Sequence, residues 1–184
     1  GFVSQFNMNT YYAILLALLV CIIIGLINGI LIVYAKVNPF ITTLSTMTII
    51  KGANFLYSKG LPISGLPESF SFFGRGYIWV IPVPVAILVV LAILTFIFST
   101  QTATGRAIYA IGGNEEAAKL SGINVNRVKI LVYMISSFIA GLSAIIITSR
   151  IMAGQPTVGE PILFDIITAV ILGGTSLVGG KGRV

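Results

Sequence analysis

From residue 11 to residue 35 the chain runs for 25 residues without a charged side chain. Wound as a helix at about 1.5 Å per residue, such a run is roughly 37 Å long, enough to cross a hydrocarbon core of about 30 Å. It is also too long for the apolar part of a signal peptide, and no Lys or Arg precedes Lys36. Composition extends this reading to the whole chain. Hydrophobic residues make up 57% and charged residues 9% of the 184, whereas a soluble domain carries about 25% charged residues to cover its surface. A chain with a lipid-facing surface needs no more charge than this.

Three further segments are long enough to span. Residues 39–57 are interrupted by Lys51, Gly52 and Asn54; residues 79–100 carry Pro82 and Pro84 near their start, where proline is least costly; residues 128–149 are uninterrupted apart from Lys129. A fifth apolar stretch, residues 162–177, ends in a glycine cluster and reads as a short or broken helix. The expected fold is therefore all-α and polytopic, with about four full transmembrane helices plus the broken one, in a single domain over residues 1–184. Starting at Gly1 and stopping inside a segment that reads as structured, the sequence is expected to be an internal fragment.

Basic residues set the orientation. With residues 100–129 on the cytoplasmic side, alternation puts Lys36, Arg106, Lys119, Arg127, Lys129, Lys181 and Arg183 inside, and Lys51, Lys59, Arg75 and Arg150 at the outer ends. The net charge of +6 does not point to nucleic acid, because these residues are spread over loops and form no patch with interleaved aromatics. Cys21 is the single cysteine and there is no His, which leaves no metal site and no imidazole catalysis to expect. Small residues supply a packing signal. Gly25 and Gly29 form a GxxxG step, and Ser136, Ala140 and Ala144 form a stripe beside Ser137 and Gly141; such spacing brings helix backbones together in lipid. Packing within one subunit is the reading favoured over a dimer seam.

The most informative polar interval is GRAIYAIGGNEEAAKLSGINVNRVK, residues 105–129. Asn114 is placed to cap a helix, Glu115 and Glu116 lie near its positive end, and Lys119 near its negative end. Gly122 stands where a glycine stop belongs. A helix of about two turns is expected over residues 115–121, with Ala117, Ala118 and Leu120 as its apolar face. A passive connector and a docking element are equally compatible with these residues alone.

This interval resembles the coupling region of ABC-transporter permeases, with Glu116, Ala117, Ala118 and Gly122 matching the EAA-x-x-x-G core of their motif. The Leu-Pro of the longer motif is absent, with Met134 and Ile135 standing about where it would fall. That departure fits the permeases for monosaccharides such as ribose and xylose, which are similar to the branched-chain amino-acid permeases. Residues 37–63 and 155–183 share the resemblance, which covers nearly the whole chain; it implies that the family's first helices and last two or three are missing, leaving about 55–60% of a complete permease.

The resemblance implies an all-α permease subunit of an ATP-driven importer in the bacterial inner membrane, moving a monosaccharide, with a permease for branched-chain amino acids or another small polar solute as the alternative. It implies ATP hydrolysis on a separate ABC ATPase subunit, gripping residues Gly113, Asn114, Glu115, Glu116, Ala117, Ala118, Lys119, Leu120, Ser121 and Gly122. It further implies a periplasmic or lipid-anchored substrate-binding protein and a second permease subunit. The permease itself would carry no catalytic residue and no cofactor. An integral-membrane enzyme would need paired carboxylates or a nucleophile with its base within the spans, and only Asp165 is so located. A secondary transporter would show more intramembrane charge and inverted repeats.

Candidate pathway and outer-mouth residues are Thr43, Thr46, Gln155, Asp165, Gly173 and Gly174. Thr42, Thr43, Ser45, Thr46 and Thr48 crowd the second segment; most such hydroxyls bond back to their own helix, but five within seven residues suggest one face meeting protein or water. Gln155, Thr157 and Glu160 share an outer loop and suit a neutral polyol. Asp165 precedes an apolar run, and a capping carboxylate is favoured over a substrate guide. The tail GGTSLVGGKG fails as a phosphate loop: six residues before Lys181 stands Thr175 where Gly is required, and Gly182 follows the lysine. A helix break near the cytoplasmic face is expected there instead.

Overall fold

A computed structural model describes residues 10–175. Helices α1 (Thr10–Tyr34), α2 (Pro39–Ser58), α4 (Val83–Gln101) and α7 (Val125–Ile151) are the long ones, and α8 (Gly159–Leu172) is shorter. Between α2 and α4 lie a 3-10 turn (Glu68–Ser71), the single-turn α3 (Phe72–Arg75) and the two-residue strands β1 (Tyr77–Ile78) and β2 (Ile81–Pro82). Between α4 and α7 lie α5 (Ala103–Gly113) and α6 (Glu115–Leu120). Helices α1, α4 and α7 are long and apolar enough to cross a membrane. The 20-residue α2 matches them in length but carries Lys51, Asn54 and the run of hydroxyls. The chain is a polytopic all-α membrane protein.

The described residues form two compact units, one of residues 10–87 with 130–157, the other of residues 88–129 with 158–175. In the first unit α1 packs against both α2 and α7. A Cβ at Gly25 would lie 2.6 Å from the Tyr133 carbonyl oxygen, and one at Gly29 would lie 3.0 Å from the Ile130 Cα. Reciprocally, a Cβ at Gly141 of α7 would lie 2.9 Å from the Cys21 sulfur. The GxxxG step therefore brings two spans of one chain into backbone contact, as expected. The stripe on α7 needs correcting. Ser137 and Gly141 face α1 and Ala144 lines a recess beside it, while Ser136 and Ala140 are exposed; successive residues turn by about 100°, so neighbours at 136 and 137 cannot both face one helix squarely.

The other contact of α1 is polar. Asn28 is only 7% exposed, and its Oδ1 accepts a 2.6 Å hydrogen bond from Thr46 Oγ1 on α2. Most hydroxyls of α2 bond back to their own helix, Thr42 to the Asn38 carbonyl, Thr43 to those of Pro39 and Phe40, and Thr48 to that of Leu44. Asn38 starts this helix, its Oδ1 accepting from the Phe40 amide at 2.9 Å with Pro39 in the first position.

The loops of the first unit are built rather than slack. Ile63 and Gly154 exchange two backbone hydrogen bonds of 2.9 Å, tying the segment after α2 to the segment after α7. Ser149, fully buried, donates to the Phe70 carbonyl. The third apolar segment was expected to begin helix at residue 79, but Trp79 and Val80 form the turn of the β1–β2 hairpin and α4 starts at Val83. Pro82 is the cause: it disfavours helical conformation at Ile81, and Ile81 pairs instead with Ile78.

Candidate functional site

The turn from α4 into the polar interval is made by Thr102 and Gly105. Thr102 Oγ1 donates to the Phe98 carbonyl at 2.6 Å and accepts from the Gly105 amide at 3.0 Å, so it ends one helix and caps the next. Gly105 is buried, and a Cβ there would collide with the Phe98 and Ser99 carbonyls; only glycine permits this approach. The outcome is α5, an 11-residue helix that sequence reasoning left inside the polar interval. Its signal was present: a Thr three residues before Gly105 and an amphipathic pattern interrupted by glycines.

α6 follows and packs on α5. Its start matches the expectation, since Asn114 Oδ1 accepts from the Ala117 amide at 3.0 Å. Its end is a Schellman turn. The Gly122 amide donates to the Lys119 carbonyl at 3.1 Å, the Ile123 amide to the Ala118 carbonyl at 3.1 Å, and Gly122 holds φ +84°. Helix ends at Leu120, one residue short of the expected boundary. Asn124 then caps α7, accepting from the Arg127 amide at 3.1 Å. Within this unit Lys129 Nζ lies 2.6 Å from Glu115 Oε2, tying the start of the second turn of α7 to the first turn of α6.

The expected apolar face of α6 is divided. Ala118 is 4% exposed, whereas Leu120 is 90% exposed and Ala117 is open to solvent. Residues two apart on a helix point about 200° apart, so Ala118 and Leu120 cannot share a face. Ala117 and Leu120, three apart, can. The outward surface is thus Leu120 and Ala117 flanked by Glu116, with Gly113, Asn114, Glu115, Lys119, Ser121 and Gly122 also exposed.

The candidate pathway residues lie on separate elements. Thr46 joins α2 to α1 through Asn28, a residue passed over although it is the lone amide within an otherwise apolar run. Thr43 is exposed on α2. Gln155 belongs to the loop after α7, its Nε2 donating to Thr157 Oγ1 at 3.3 Å. Asp165 is not a cap. It is the seventh residue of α8, beyond the first turn whose amides need partners, and its carboxylate is exposed. Gly173 and Gly174 end α8 in a second Schellman turn, with Gly174 at φ +82° and the Thr175 amide reaching the Val170 carbonyl at 3.3 Å. The break thus comes five residues earlier than residue 177. The rest of the glycine-rich tail, including Lys181 and Arg183, lies outside the described residues.

Comparison with known proteins places the sequence among transport permeases. The ribose import permease protein RbsC of Bacillus subtilis (strain 168) is 47% identical over 159 residues, covering 85% of this chain and 49% of the relative. RbsC of Haemophilus influenzae is 43% identical over 178 residues, covering 95% of this chain and 55% of the relative. The L-arabinose transport system permease protein AraH of Escherichia coli (strain K12) is 37% identical over 158 residues, covering 86% and 48%. The chain spans about half the length of these relatives. No solved structure matches it. The family model described as branched-chain amino acid transport system / permease component matches residues 1–180, and the chain belongs to that family of transport permeases.

Proposed function

We propose that this chain is the membrane-spanning part of a permease subunit in an ATP-driven ABC importer of the bacterial inner membrane, carrying a monosaccharide of the ribose class. The observation that carries this reading is Leu120, 90% exposed on a helix whose two ends are both capped. A bare leucine stabilises nothing in the isolated chain, yet caps, ion pair and glycine turn hold it in one place. A rigid apolar knob on a charged helix is what a groove on a partner protein can grip. The EAA-x-x-x-G core, and relatives named for ribose import and L-arabinose transport, support a separate ATP-hydrolysing subunit as that partner.

In this reading a second permease subunit completes the pathway and a substrate-binding protein delivers sugar to the opposite face. Movement of the ATPase shifts α5 and α6 as one body, because they pack on each other and Gly105 and Thr102 fix α5 to the end of α4. The shift biases the spans between two arrangements, driven by contacts that differ between them. Thr43 and Gln155 of the first unit are exposed polar groups suited to a neutral polyol, and Asp165 is one in the second, where Gly173 and Gly174 end α8. Thr46 instead holds α2 to α1 beside any such path.

The test is co-purification of the full-length permease, wild type against Leu120→Glu, with its ATPase. Leu120 touches no core, so the variant should insert and fold normally while losing the ATPase and ribose uptake. Retained ATPase and uptake would reduce α6 to a connector and remove the residue-level support for the importer reading. Uptake of a branched-chain amino acid in place of ribose would correct the substrate alone.

A further inference from the structure

Two features of the first unit are left unused by a sugar pathway, and they adjoin each other. The first is a recess of about 560 Å³ lined by Gly74, Arg75, Gly76, Tyr77, Pro82 and Arg150 among others. Arg75 Nε donates to the Arg150 carbonyl at 2.9 Å, which orients one guanidinium at the C-terminal end of α7. A Cβ at Gly74 would collide with the Arg150 backbone, so glycine lets α3 sit directly on that helix end. Among the described residues neither arginine has an acidic partner. Both arginines line this recess; like charges brought together there favour an anion between them, and the planar guanidinium fork suits phosphate oxygens.

The second feature is the β1–β2 hairpin beside it. Trp79 is 97% and Val80 84% exposed, and Tyr77, Ile78 and Ile81 are exposed as well. No charged residue occurs from Tyr77 to Gln101, so the apolar surface of the hairpin runs unbroken into the membrane-crossing α4. Trp79 holds φ +60° at the first position of a two-residue turn, where glycine would be free of strain. A bulky ring placed there against conformational preference points to a surrounding that rewards it. Tryptophan and tyrosine at the end of a span belong to the headgroup layer, where the ring is half in hydrocarbon and half wet.

We propose that this end of the chain is a phospholipid site, with a headgroup phosphodiester between Arg75 and Arg150 and the Tyr77–Pro82 hairpin seated in the interfacial layer. The acyl chains would then start against Pro84 and Val85, which line the recess at the beginning of α4. Free phosphate shares the anion chemistry but would leave the hairpin unexplained. A soluble protein partner would meet the arginines with carboxylates and would not need five apolar side chains at a bilayer edge.

The full-length permease in lipid nanodiscs tests this. The Trp79 signal is isolated as the difference between wild type and Trp79→Phe fluorescence. Lipid labelled with doxyl high on its acyl chain should quench that signal strongly, and aqueous iodide should not. Iodide quenching without doxyl quenching would put the hairpin in water, and quenching by neither would put it under protein; each overturns the seating. A second measurement reads the arginines. Phosphatidylglycerol kept through detergent washing, counted by mass spectrometry, should fall several-fold in Arg75→Gln/Arg150→Gln, with the Trp79 signal checking that the variant is folded. Unchanged retention overturns the headgroup site, and displacement of the lipid by millimolar inorganic phosphate would make it a site for free anions instead.

Discussion

At the residue scale, glycine does opposite work at different positions of these helices. Gly25 lets α1 touch the Tyr133 carbonyl of α7, whereas nothing lies within 4 Å of a Cβ added at Gly52. Gly25→Val should therefore cost about 1–3 kcal/mol through overpacking and lower the melting temperature of the full-length protein in detergent. Gly52→Ala should raise it, by about 0.5–1 kcal/mol of helix preference. Equal effects of the two would mean that the α1–α7 contact is not tight. Asn28 and Thr46 make a polar contact of a different kind. In a double-mutant cycle of Asn28→Ala with Thr46→Val the coupling should be about 0.6 kcal/mol, the usual size for hydrogen bonds between spans, since the unfolded helices in lipid also find partners. The GxxxG step was readable because only small residues at that spacing allow such contact. Asn28 was passed over because a lone amide has no period, and its partner Thr46 lies on another helix and is one hydroxyl among several.

At the element scale, the short helix α6 exists because its ends are satisfied, for six residues are too few to hold a helix by propensity. Asn114→Ala should cost about 1 kcal/mol. Gly122→Val, which forces a branched side chain into φ +84°, should cost about 1–2 kcal/mol by the penalty on left-handed backbone. Both losses should be local, seen as faster hydrogen exchange of the amides of residues 117–123 while α1 and α7 stay protected. Lys129→Met should change little, about 0–1 kcal/mol, because the pair with Glu115 is largely open to solvent. Faster exchange in Lys129→Met than in Gly122→Val would reverse this ranking. The caps were legible because capping is a local rule joining a side chain to an amide three residues on. The apolar face was drawn too wide because Ala117, Ala118 and Leu120 were grouped by character, and only angle separates them. The third span was started too early for a related reason: residues 79–82 are as apolar as a helix, and the Pro82 constraint turns them into a hairpin despite the strain at Trp79.

At the scale of the molecule, membrane class was legible from the length of uncharged runs, which α1 and α4 form, whereas α2 is interrupted by Lys51 and α5 has no such run to announce it. Direction rested on the count of basic residues, and the first unit adds a geometric check. Gly29, near the C-terminal end of α1, meets Ile130 near the start of α7, while Thr10 and Thr148 line one recess at the other end, so the two spans run antiparallel. Asn28 and Thr46 show the same for α1 and α2. Lys36 therefore lies at one end of this unit, and Arg75 and Arg150 at the other. If positive charge selects the cytoplasm, the Lys36 end is inside. Single cysteines at Ala35 and Leu61, both exposed and both chosen to leave every charge in place, can be introduced into a Cys21→Ser background freed of other cysteines. A membrane-impermeant maleimide added to intact cells stripped of the outer membrane should label Leu61→Cys at once. Ala35→Cys should react only after the membrane is opened. The reverse pattern would invert the protein and move α6 to the side away from ATP, and labelling of both positions in sealed cells would mean that α2 does not cross at all.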